Sequence, residues 1–503
     1  MSGRREPGEP RSRTVGMKRR VQTLRSWPTV RKFLLVLLIL YVAKQCLFVF
    51  AFRPFSGHDE VAHSAYLRTV ATEGRVPVLP DLAAWRATAA DERDQTVDLL
   101  PDDLWRYCHY VLFWTGCGDI RFRNDPVSAV TYLGEFFPTG YQYGANHPPL
   151  YYLLMTPLYW LSADWSPVAQ QYLLRLAAIP FGIATVLFAY LLARRLFPGD
   201  AFLAITVPSF VAMQPQISYE AAMVNNDIVA IALYSAILVL VVIGLRDRFP
   251  TRTCLLLGTS LGLALLTKGT SITAAGVIGL AVLLGVGWRD WRGLIRRGVA
   301  VAVPALVMTL PWYLFLDQTY GNLDALPQLE ALQAYWNRPA GTFWGMLASR
   351  DFVVMRFRET WGEFGWRLLP LSSTLLWIIA VPLVAGLGGL VVYAAAAGRG
   401  RFADGDDPVM RPCRWQWQSL AVLAVTCLVA YLAIIQFGTR FALTQARYLF
   451  HVVDAASLLL MLGLRTLIPV PLRSYAQDAI FAALVLLNLV IFTQYVIPHF
   501  LSA

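Results

Sequence analysis

The chain has 503 residues, of which 57% are hydrophobic and 15% are charged, and its formal net charge is +11. Because soluble domains carry about 25% charged residues, this composition excludes an ordinary soluble protein. The positive charge is concentrated before the first long apolar segment, a distribution that argues against a nucleic-acid partner.

The start of the chain is strongly basic. Residues 1–32 contain ten Lys and Arg against two Glu, and they lead directly into an apolar segment of full span length. Basic residues beside a span are typical of its cytoplasmic side, and no signal-peptide cleavage pattern intervenes. We therefore expect a disordered cytoplasmic tail over 1–32 and a membrane domain over 33–503.

Apolar segments long enough to cross a bilayer recur through the rest of the chain. About 20 apolar residues span a hydrocarbon core of roughly 30 Å. The predicted spans are 33–52, 170–196, 201–217, 222–245, 253–267, 271–288, 298–316, 370–397, 418–437, 446–464 and 478–497. The pattern predicts an all-α polytopic membrane protein with about eleven transmembrane helices.

A further apolar stretch, 148–162, is about 15 residues long and opens with two prolines. Counting it as a span would move Arg194, Arg195 and every later basic loop to the outside, against the positive-inside rule. We therefore expect it to be a membrane-embedded or surface-lying helix. This choice gives a cytoplasmic amino terminus and an external carboxyl terminus.

Two long segments, 53–147 and 317–369, then lie outside the cytoplasm. The first contains 8 Lys/Arg and 13 Asp/Glu, a net charge of −5 that is opposite in sign to the basic tail. Its apolar residues recur at helical spacing, which predicts amphipathic external helices. Cys108 and Cys117 lie in this segment, where either a disulfide or two free thiols would be compatible with the location.

Ionisable residues collect at the external ends of the predicted spans. In RPFSGHDEVAHSAY, Arg53 to Tyr66, the acidic pair Asp59 and Glu60 follows the first span. The other members of this set are His147, Asp227, Lys268, Arg440 and Arg447. Ionisable residues at membrane depth are energetically costly and usually functional, so their collection on one side predicts a site there.

Structural explanations compete for most of these residues. Lys268 and Arg440 suit interfacial anchors whose charged ends reach water, Asp227 suits a helix N-cap, and His147 suits a turn before two prolines. The acidic pair after the first span is harder to explain in this way, because two like charges repel each other. Functional and structural interpretations therefore both stay open for the single residues.

The chemistry of the set favours group transfer from a lipid. A carboxylate can deprotonate a hydroxyl as it attacks a sugar carbon, and cationic groups can stabilise a departing phosphate. The aromatic stretch 148–162 could border a groove for a lipid chain. Together these features suit transfer of a sugar from a lipid phosphate.

Several short motifs occur in an order that resembles the GT-C superfamily of glycosyltransferases. They are the acidic pair, HPPLYYLL, the span RLAAIPFGIATVLFAYLLARRLF, NND, TKG and ARYL, and they extend over the first ten spans. The arrangement is similar to protein O-mannosyltransferases and to bacterial aminoarabinose–lipid A transferases, and most of all to uncharacterised bacterial members. The resemblance implies a GT-C fold in a cell membrane, expected to be a bacterial inner membrane, with the active site outside the cytoplasm.

The resemblance also implies roles for the collected residues. Asp59 would be the catalytic base with Glu60 beside it, although Glu60 could equally hold the acceptor or a metal. The expected donor-phosphate residues are His147, Lys268, Arg447 and Arg440, and the expected support for an acceptor or a metal comes from Asp227 and His63. The implied donor is a polyprenyl-phosphate sugar, used with inversion; a divalent metal stays possible, and the acceptor is a glycan, lipid or protein.

Other functions remain as alternatives. A transporter or flippase for a lipid-linked glycan would favour ionisable residues in mid-span and an internal repeat, and we find neither pattern. A glycan polymerase or ligase shares the chemistry and stays open. Nucleotide-binding motifs such as a P-loop are absent from the sequence, and we interpret the DGDD run at Asp404 to Asp407 as a solvated charged loop.

Overall fold

The computed structural model describes residues 13–55, 57–79, 144–333, 341–367, 369–399, 407–441 and 444–500, with the backbone alone described over 13–28, 332–333 and 366–367. Cys108, Cys117 and most of the external segment 53–147 lie outside the described residues. The predictions for them therefore stay predictions.

The described chain is helical apart from its turns and a two-residue strand, Leu369–Pro370, that bridges to the residues just before it. The α-helices are Arg13–Ala51, Glu60–Glu73, Leu150–Leu161, Pro167–Leu176, Ile179–Leu196, Ala201–Met213, Pro215–Ala221, Asp227–Asp247, Thr251–Thr267, Thr273–Val286, Trp291–Tyr320, Leu326–Gln333, Phe343–Ala348, Arg350–Trp361, Phe364–Arg367, Ser373–Gly398, Arg414–Gly438, Val453–Leu467, Arg473–Ile491 and Ile497–Phe500. These helices are connected or extended by short 3₁₀ turns and by one π turn. The 3₁₀ turns are Gly269–Ile272, Pro408–Met410, Ala446–Val452 and Val470–Leu472, and the π turn is Phe492–Val496.

All eleven predicted spans are helical. Nine helical segments in the described part of the chain are long and apolar enough to cross a membrane. The pair Ala201–Met213 and Pro215–Ala221 adds a tenth that is bent by 57°, and Thr251–Thr267 is a shorter apolar helix at the position of the remaining span. The stretch 148–162 forms the 12-residue helix Leu150–Leu161, which is too short to span. The prediction of an all-α polytopic membrane protein is confirmed.

The bend in the third span is caused by a proline. Gln214 is extended, with φ −68° and ψ 117°, because a residue that precedes proline is disfavoured in the helical region. Its side-chain Oε1 then accepts a hydrogen bond from the amide of Ile217 at 2.6 Å and caps the short helix Pro215–Ala221. The bend brings this helix, and the turn that follows it, to the ionisable side chains described below.

Glycines allow two spans to touch through their backbones. A Cβ built on Gly389 would lie 2.1 Å from the carbonyl oxygen of Gly463, and one built on Gly463 would lie 1.8 Å from that of Gly386. Small residues at helix interfaces permit this close approach in membranes. The helix Val453–Leu467 is therefore packed directly on Ser373–Gly398.

A buried ion pair holds the end of the first span. Arg175 Nε and Nη2 donate to the two carboxylate oxygens of Glu60 at 2.7 and 2.6 Å, and both side chains are fully buried. The guanidinium also donates to three carbonyl oxygens at the end of the first span, between 2.7 and 3.1 Å. Glu60 accepts further bonds from the amides of Gly57 and Val224, at 3.1 and 3.0 Å. The pair joins three separate segments of the chain.

A second ionic cluster lies where three predicted cytoplasmic loops meet. Arg465 donates to both oxygens of Asp407 at 2.9 Å and lies 2.6 Å from Asp200, and Arg473 donates to Asp407 at 2.6 Å. Burial opposes ionisation of Asp407, but the two arginines outweigh it and lower its pKa. The interpretation of this run as a solvated loop is wrong for Asp407, since its carboxylate is bound by two guanidinium groups; residues 404–406 lie outside the described residues.

The buried Glu60–Arg175 pair is expected to contribute to the free energy of unfolding. Glu60→Gln leaves the Arg175 guanidinium buried without its counter-charge, so we expect a loss of about 3–5 kcal/mol in the free energy of unfolding. The measurement is denaturant or thermal unfolding of the purified protein in detergent.

The matched control is Glu330→Gln. Glu330 pairs with Arg440 at 3.4 Å, and the two side chains are 43% and 51% exposed. Such exposed pairs contribute about 0–1 kcal/mol. Equal effects of the two substitutions would contradict the structural role of Glu60.

Candidate active site

Four charged side chains from distant parts of the chain meet around Arg447. The guanidinium Nη2 donates to Asp59 Oδ2, and Nη1 lies 3.6 Å from Asp227 Oδ2. Lys268 Nζ donates to the other oxygen of Asp227. Arg447, Asp227 and Lys268 are buried, whereas the Asp59 side chain keeps 20% of its surface exposed. Asp59 is therefore the most accessible member of the four.

Asp59 is placed by an unusual backbone conformation. It immediately precedes the helix Glu60–Glu73 with φ 52° and ψ 15°, in the left-handed region, which Asp adopts more readily than most residues. Its side chain makes no helix-capping hydrogen bond, and it points to Arg447 instead. The turn thus presents a carboxylate at the end of the first span.

The NND motif connects Asp227 to the turn that carries Lys268. Asn225 Oδ1 accepts a hydrogen bond from the amide of Asp227 at 3.0 Å, and Asn226 Nδ2 donates to the carbonyl of Thr267 at 2.9 Å. Asp227 is the first residue of its helix, and its carboxylate faces two cations rather than capping the helix. Lys268 is buried and is therefore not an interfacial anchor that reaches water.

Two histidines border the group. The rings of His63 and His147 stack, with centroids 5.4 Å apart and planes at 18°. His63 Nδ1 lies 2.8 Å from the hydroxyl of Tyr152, which belongs to the short helix Leu150–Leu161. Tyr66 stacks on Tyr152 at 3.5 Å and donates to the carbonyl of His147 at 3.0 Å. The aromatic stretch predicted from the sequence is therefore in direct contact with His63 through Tyr152, whereas Tyr66 contacts both Tyr152 and His147.

The protonation states follow from burial and from neighbouring charges. Burial favours the neutral form of Asp59, but Arg447, followed by His63, outweighs it and lowers the pKa of Asp59 to about 2. Burial, with a further contribution from His147, lowers the pKa of His63 to about 3. Burial and the charge of Lys268 lower the pKa of His147 to about 4. At neutral pH the site therefore contains an ionised Asp59 and two neutral histidines, so His147 is a hydrogen-bonding group and not a cation.

Two predicted residues lie apart from this group. The Arg440 side chain is 51% exposed and pairs with Glu330. Glu60 is adjacent to Asp59 in the sequence, but its carboxylate is bound to Arg175 and to two backbone amides. The structure thus brings together Asp59, His63, His147, Asp227, Lys268 and Arg447, and it separates Arg440 and Glu60 from them.

Tyr448 is part of the site and was not selected from the sequence. Lys268 Nζ and Arg447 Cζ lie 5.2 and 5.5 Å from the centre of the Tyr448 ring, so the ring contacts both cations. His451 packs on Tyr234 at 4.7 Å, and its Nε2 is buried without a hydrogen-bond partner among the described residues. Tyr448 directly follows Arg447 in the ARYL motif, and this adjacency was the available signal.

The divalent metal stays a prediction. In the ranges that the structure describes, no group of three or more His, Cys, Asp or Glu side chains is arranged to hold a metal ion. The carboxylates of Asp59 and Asp227 are already bound to Arg447 and Lys268.

A family model described as dolichyl-phosphate-mannose-protein mannosyltransferase matches residues 146–315. The predicted resemblance to protein O-mannosyltransferases is confirmed over this segment. The matched segment, about a third of the chain, contains His147, Asp227 and Lys268, whereas Asp59 and Arg447 lie outside it. The search of curated proteins finds no match.

Solved structures of membrane glycosyltransferases are similar to this chain at low identity. The Archaeoglobus fulgidus oligosaccharyltransferase in the apo form is 11% identical, covering 90% of this chain and 54% of that one, with a TM-score of 0.46. Its complex with an inhibitory peptide and a dolichol-phosphate is 10% identical, covering 91% and 55%, with a TM-score of 0.45. ArnT from Cupriavidus metallidurans bound to undecaprenyl phosphate is 14% identical, covering 86% and 77%, with a TM-score of 0.38. The chain spans about half the length of the oligosaccharyltransferases.

The lowered pKa values of His63 and His147 predict how the stability of the folded protein depends on pH. Their pKa values in the folded protein lie below the ordinary value of about 6.5, so between these values the unfolded state binds more protons. Stability is then fully present above about pH 6.5 and is lost as the pH falls towards 4. We expect the midpoint of thermal unfolding to fall from pH 7 to pH 5, and to fall less in His147→Gln.

His499 provides the control because its side chain is exposed near the end of the described chain. His499→Gln is expected to keep the wild-type pH dependence. An identical pH dependence in wild type and His147→Gln would show that His147 is not held neutral by the fold.

Proposed function

We propose that this multi-pass membrane protein transfers a sugar from a polyprenyl-phosphate donor to an acceptor hydroxyl, with inversion at the anomeric carbon. One observation carries the proposal. The partly exposed carboxylate of Asp59 is bound by Arg447, which is also close to Asp227 and thereby to Lys268. A base and two cations suited to phosphate therefore share one site at the ends of the spans.

The first step is recognition of the donor phosphate. Arg447 and Lys268 carry two positive charges that Asp59 and Asp227 balance in the structure. A phosphate that reaches Arg447 competes with these carboxylates for the guanidinium, which binds phosphate oxygens in a bidentate manner. When Arg447 turns to the phosphate, Asp59 loses the neighbour that lowers its pKa most. Arrival of the donor thus makes Asp59 a stronger base.

The second step is the transfer itself. The acceptor oxygen attacks the anomeric carbon from the face opposite the phosphate, and Asp59 takes the hydroxyl proton as the new carbon–oxygen bond forms. The bond between the anomeric carbon and the phosphate oxygen breaks, and its electron pair leaves with the polyprenyl phosphate. Arg447 and Lys268 stabilise the charge on that phosphate, and neutral His147 is positioned to donate a hydrogen bond. Attack opposite the leaving group inverts the anomeric centre.

The active site is proposed to face away from the cytoplasm. Arg447 and Arg465 lie near the two ends of one membrane segment, Ala446–Leu467, at a separation of roughly 30 Å. The cluster around Arg465 contains the predicted cytoplasmic residues Asp200, Asp407 and Arg473. If that face is cytoplasmic by the positive-inside rule, the face of Arg447 is external. We assign the amino terminus to the cytoplasm on this basis, and the bacterial inner membrane is proposed from the family resemblance alone.

The alternatives differ in measurable products. A flippase would move the lipid-linked sugar without breaking its bond to phosphate, whereas a transferase releases polyprenyl phosphate. A glycan polymerase or ligase would release the same lipid and would differ in the size of its acceptor. The acceptor class, whether glycan, lipid or protein, is part of the proposal that product analysis must identify.

Asp59→Asn tests the base. We expect transfer to fall by roughly 10²- to 10⁴-fold, which is the usual contribution of a general base, while the protein stays folded. The measurement is release of polyprenyl phosphate from a radiolabelled polyprenyl-phosphate sugar by the purified protein in lipid. Asp164→Asn, at an exposed position, is the control and should keep wild-type activity. Full activity of Asp59→Asn would remove Asp59 from the mechanism.

Substitutions of Arg447 and Arg440 are a matched pair of variants that test binding of the donor phosphate. Arg447→Gln should weaken binding of polyprenyl phosphate by roughly 10- to 100-fold, since a hydrogen bond to a charged group contributes about 1.5–3 kcal/mol. Arg440→Gln should leave binding unchanged because Arg440 is on the surface and pairs with Glu330. Binding is measured by titration of the lipid, with thermal unfolding as the check on folding. Equal losses in the two variants would contradict a specific role for Arg447.

A further inference from the structure

A strongly basic surface lies on the membrane face opposite the candidate active site. It is formed by residues 246–252 and 288–297, which together contain seven arginines and two aspartates, a net charge of +5. Arg246 is in the last turn of the helix that begins at Asp227, so roughly 30 Å of helix separates this surface from the candidate site. The function proposed above makes no use of this surface, which we call the arginine patch.

A fixed turn joins the two segments of the arginine patch. Arg248 and Phe249 have φ values of 57° and 54°, in the left-handed region, which is costly for residues other than glycine. Their carbonyl oxygens accept hydrogen bonds from Arg297 Nε at 3.2 and 3.1 Å. The Phe249 ring is buried and packs against Gly244 and Gly285. The patch is therefore one connected surface and not two independent loops.

The helices that follow the two segments hold their arginines at one height. A Cβ built on Gly258 would lie 2.2 Å from the carbonyl oxygen of Val301, so the two backbones are in direct contact. Arg252 lies six residues before Gly258, and Arg296 lies five residues before Val301. Because a helix rises about 1.5 Å per residue, these two arginines leave their helices at nearly the same height.

Most of the arginines in the patch have no acidic partner. Arg246 pairs with Asp247 at 3.7 Å, and Arg297 lies 3.9 Å from Asp290. The other five are exposed and form no ion pair with a carboxylate among the described residues. They are Arg248, Arg252, Arg289, Arg292 and Arg296. The cluster around Arg465 is different, since its own aspartates balance it. The charge of the patch can therefore attract an anion from outside the protein.

The patch lies at the end of a lipid-facing stripe. Along the helix Trp291–Tyr320, large exposed apolar side chains recur every three or four positions and thus share one side of the helix. They are Trp291, Ile295, Val299, Val303, Leu306, Val307, Leu310 and Leu314, each between 47% and 68% exposed. Arg292 and Arg296 directly follow the first two of these residues and flank the stripe. Because hydrocarbon chains cover such a stripe in a bilayer, the two arginines lie at the depth of the lipid headgroups.

Two tryptophans indicate the same depth. Trp288 and Trp291 are 73% and 59% exposed, and Trp is enriched at membrane–water interfaces. The Cζ atom of Arg289 lies 5.3 Å from the centre of the Trp288 ring, and that of Arg292 lies 5.3 Å from the centre of the Trp291 ring. Each contact holds a guanidinium beside an interfacial ring. Interfacial tryptophans beside unpaired arginines favour a lipid headgroup over an anion in solution.

We propose that the arginine patch binds the headgroups of anionic phospholipids. Arg252, Arg292 and Arg296 donate to the phosphate oxygens, and an acyl chain of the lipid lies along the stripe that begins at Trp291. Clusters of basic residues at the ends of spans attract anionic lipids in this way. The proposal does not rest on the transferase function, because the patch and the candidate active site are on opposite faces.

Direct binding of lipid tests the patch. The full-length protein in a non-ionic detergent is titrated with phosphatidylglycerol or phosphatidylcholine, and bound lipids are counted by native mass spectrometry. We expect phosphatidylglycerol to bind roughly tenfold more tightly, and the triple variant Arg252→Gln/Arg292→Gln/Arg296→Gln to lose most of this preference. Thermal unfolding of the lipid-free variant should match the wild type because the three side chains are exposed and unpaired.

The matched control removes three exposed arginines from the other face. The variant Arg68→Gln/Arg350→Gln/Arg440→Gln loses the same charge and should keep the wild-type preference for phosphatidylglycerol. Equal losses in the two triple variants would show a general effect of net charge and would overturn the proposal. If the patch variant unfolds earlier than the wild type, Arg292→Gln replaces it in the same titration, with an expected loss of roughly threefold or more in affinity.

Inorganic phosphate and a single-stranded oligonucleotide are the probes for an anion in solution. We expect neither to displace phosphatidylglycerol from the wild-type protein. Equal binding of the two phospholipids by the wild type would overturn the proposal. Binding of either soluble probe that is lost in the patch variant, without a preference among the lipids, would also overturn it and would assign the patch to a soluble anion.

Discussion

The ion pairs of Arg447 are the interaction on which the candidate site depends. One buried guanidinium joins Asp59, from the end of the first span, to Asp227, and Asp227 joins Lys268 from a third region. Removal of one partner from a buried ion pair leaves an uncompensated charge at a large cost. Each of the four side chains therefore fixes the others, and the ends of several spans are held together by the groups proposed to perform the chemistry.

The spans were predictable because membrane insertion depends on a simple local property. About 20 apolar residues suffice to cross the hydrocarbon core, so all eleven segments could be identified without knowledge of their packing. The bend after Gln214 could be suspected from the following proline, but its angle depends on packing between spans. The end of the third span was consequently predicted at residue 217, whereas its second helix continues to Ala221.

The site was only partly predictable, and adjacent residues illustrate why. Successive side chains at a helix start point about 100° apart, so Asp59 faces Arg447 whereas Glu60 faces Arg175. Arg175, the partner of Glu60, begins the span RLAAIPFGIATVLFAYLLARRLF, and nothing in that apolar sequence indicated an ion pair with Glu60. Glu220 and Gln445 line one small pocket with Arg447, and this proximity could not be predicted because it exists only after the chain has bent and packed.

The glycine contacts between Val453–Leu467 and Ser373–Gly398 have a mechanical consequence. The span that includes the first of these helices carries Arg447 near one end and Arg465 near the other, and at Gly463, close to the Arg465 end, it packs directly on the backbone of the neighbouring helix. This span is therefore expected to resist displacement along its own axis, between the two faces of the membrane. An axial displacement at one face would have to strip Arg465 from two aspartates at the other. When Arg447 exchanges one partner for another, we therefore expect its side chain to rotate while the span keeps its position.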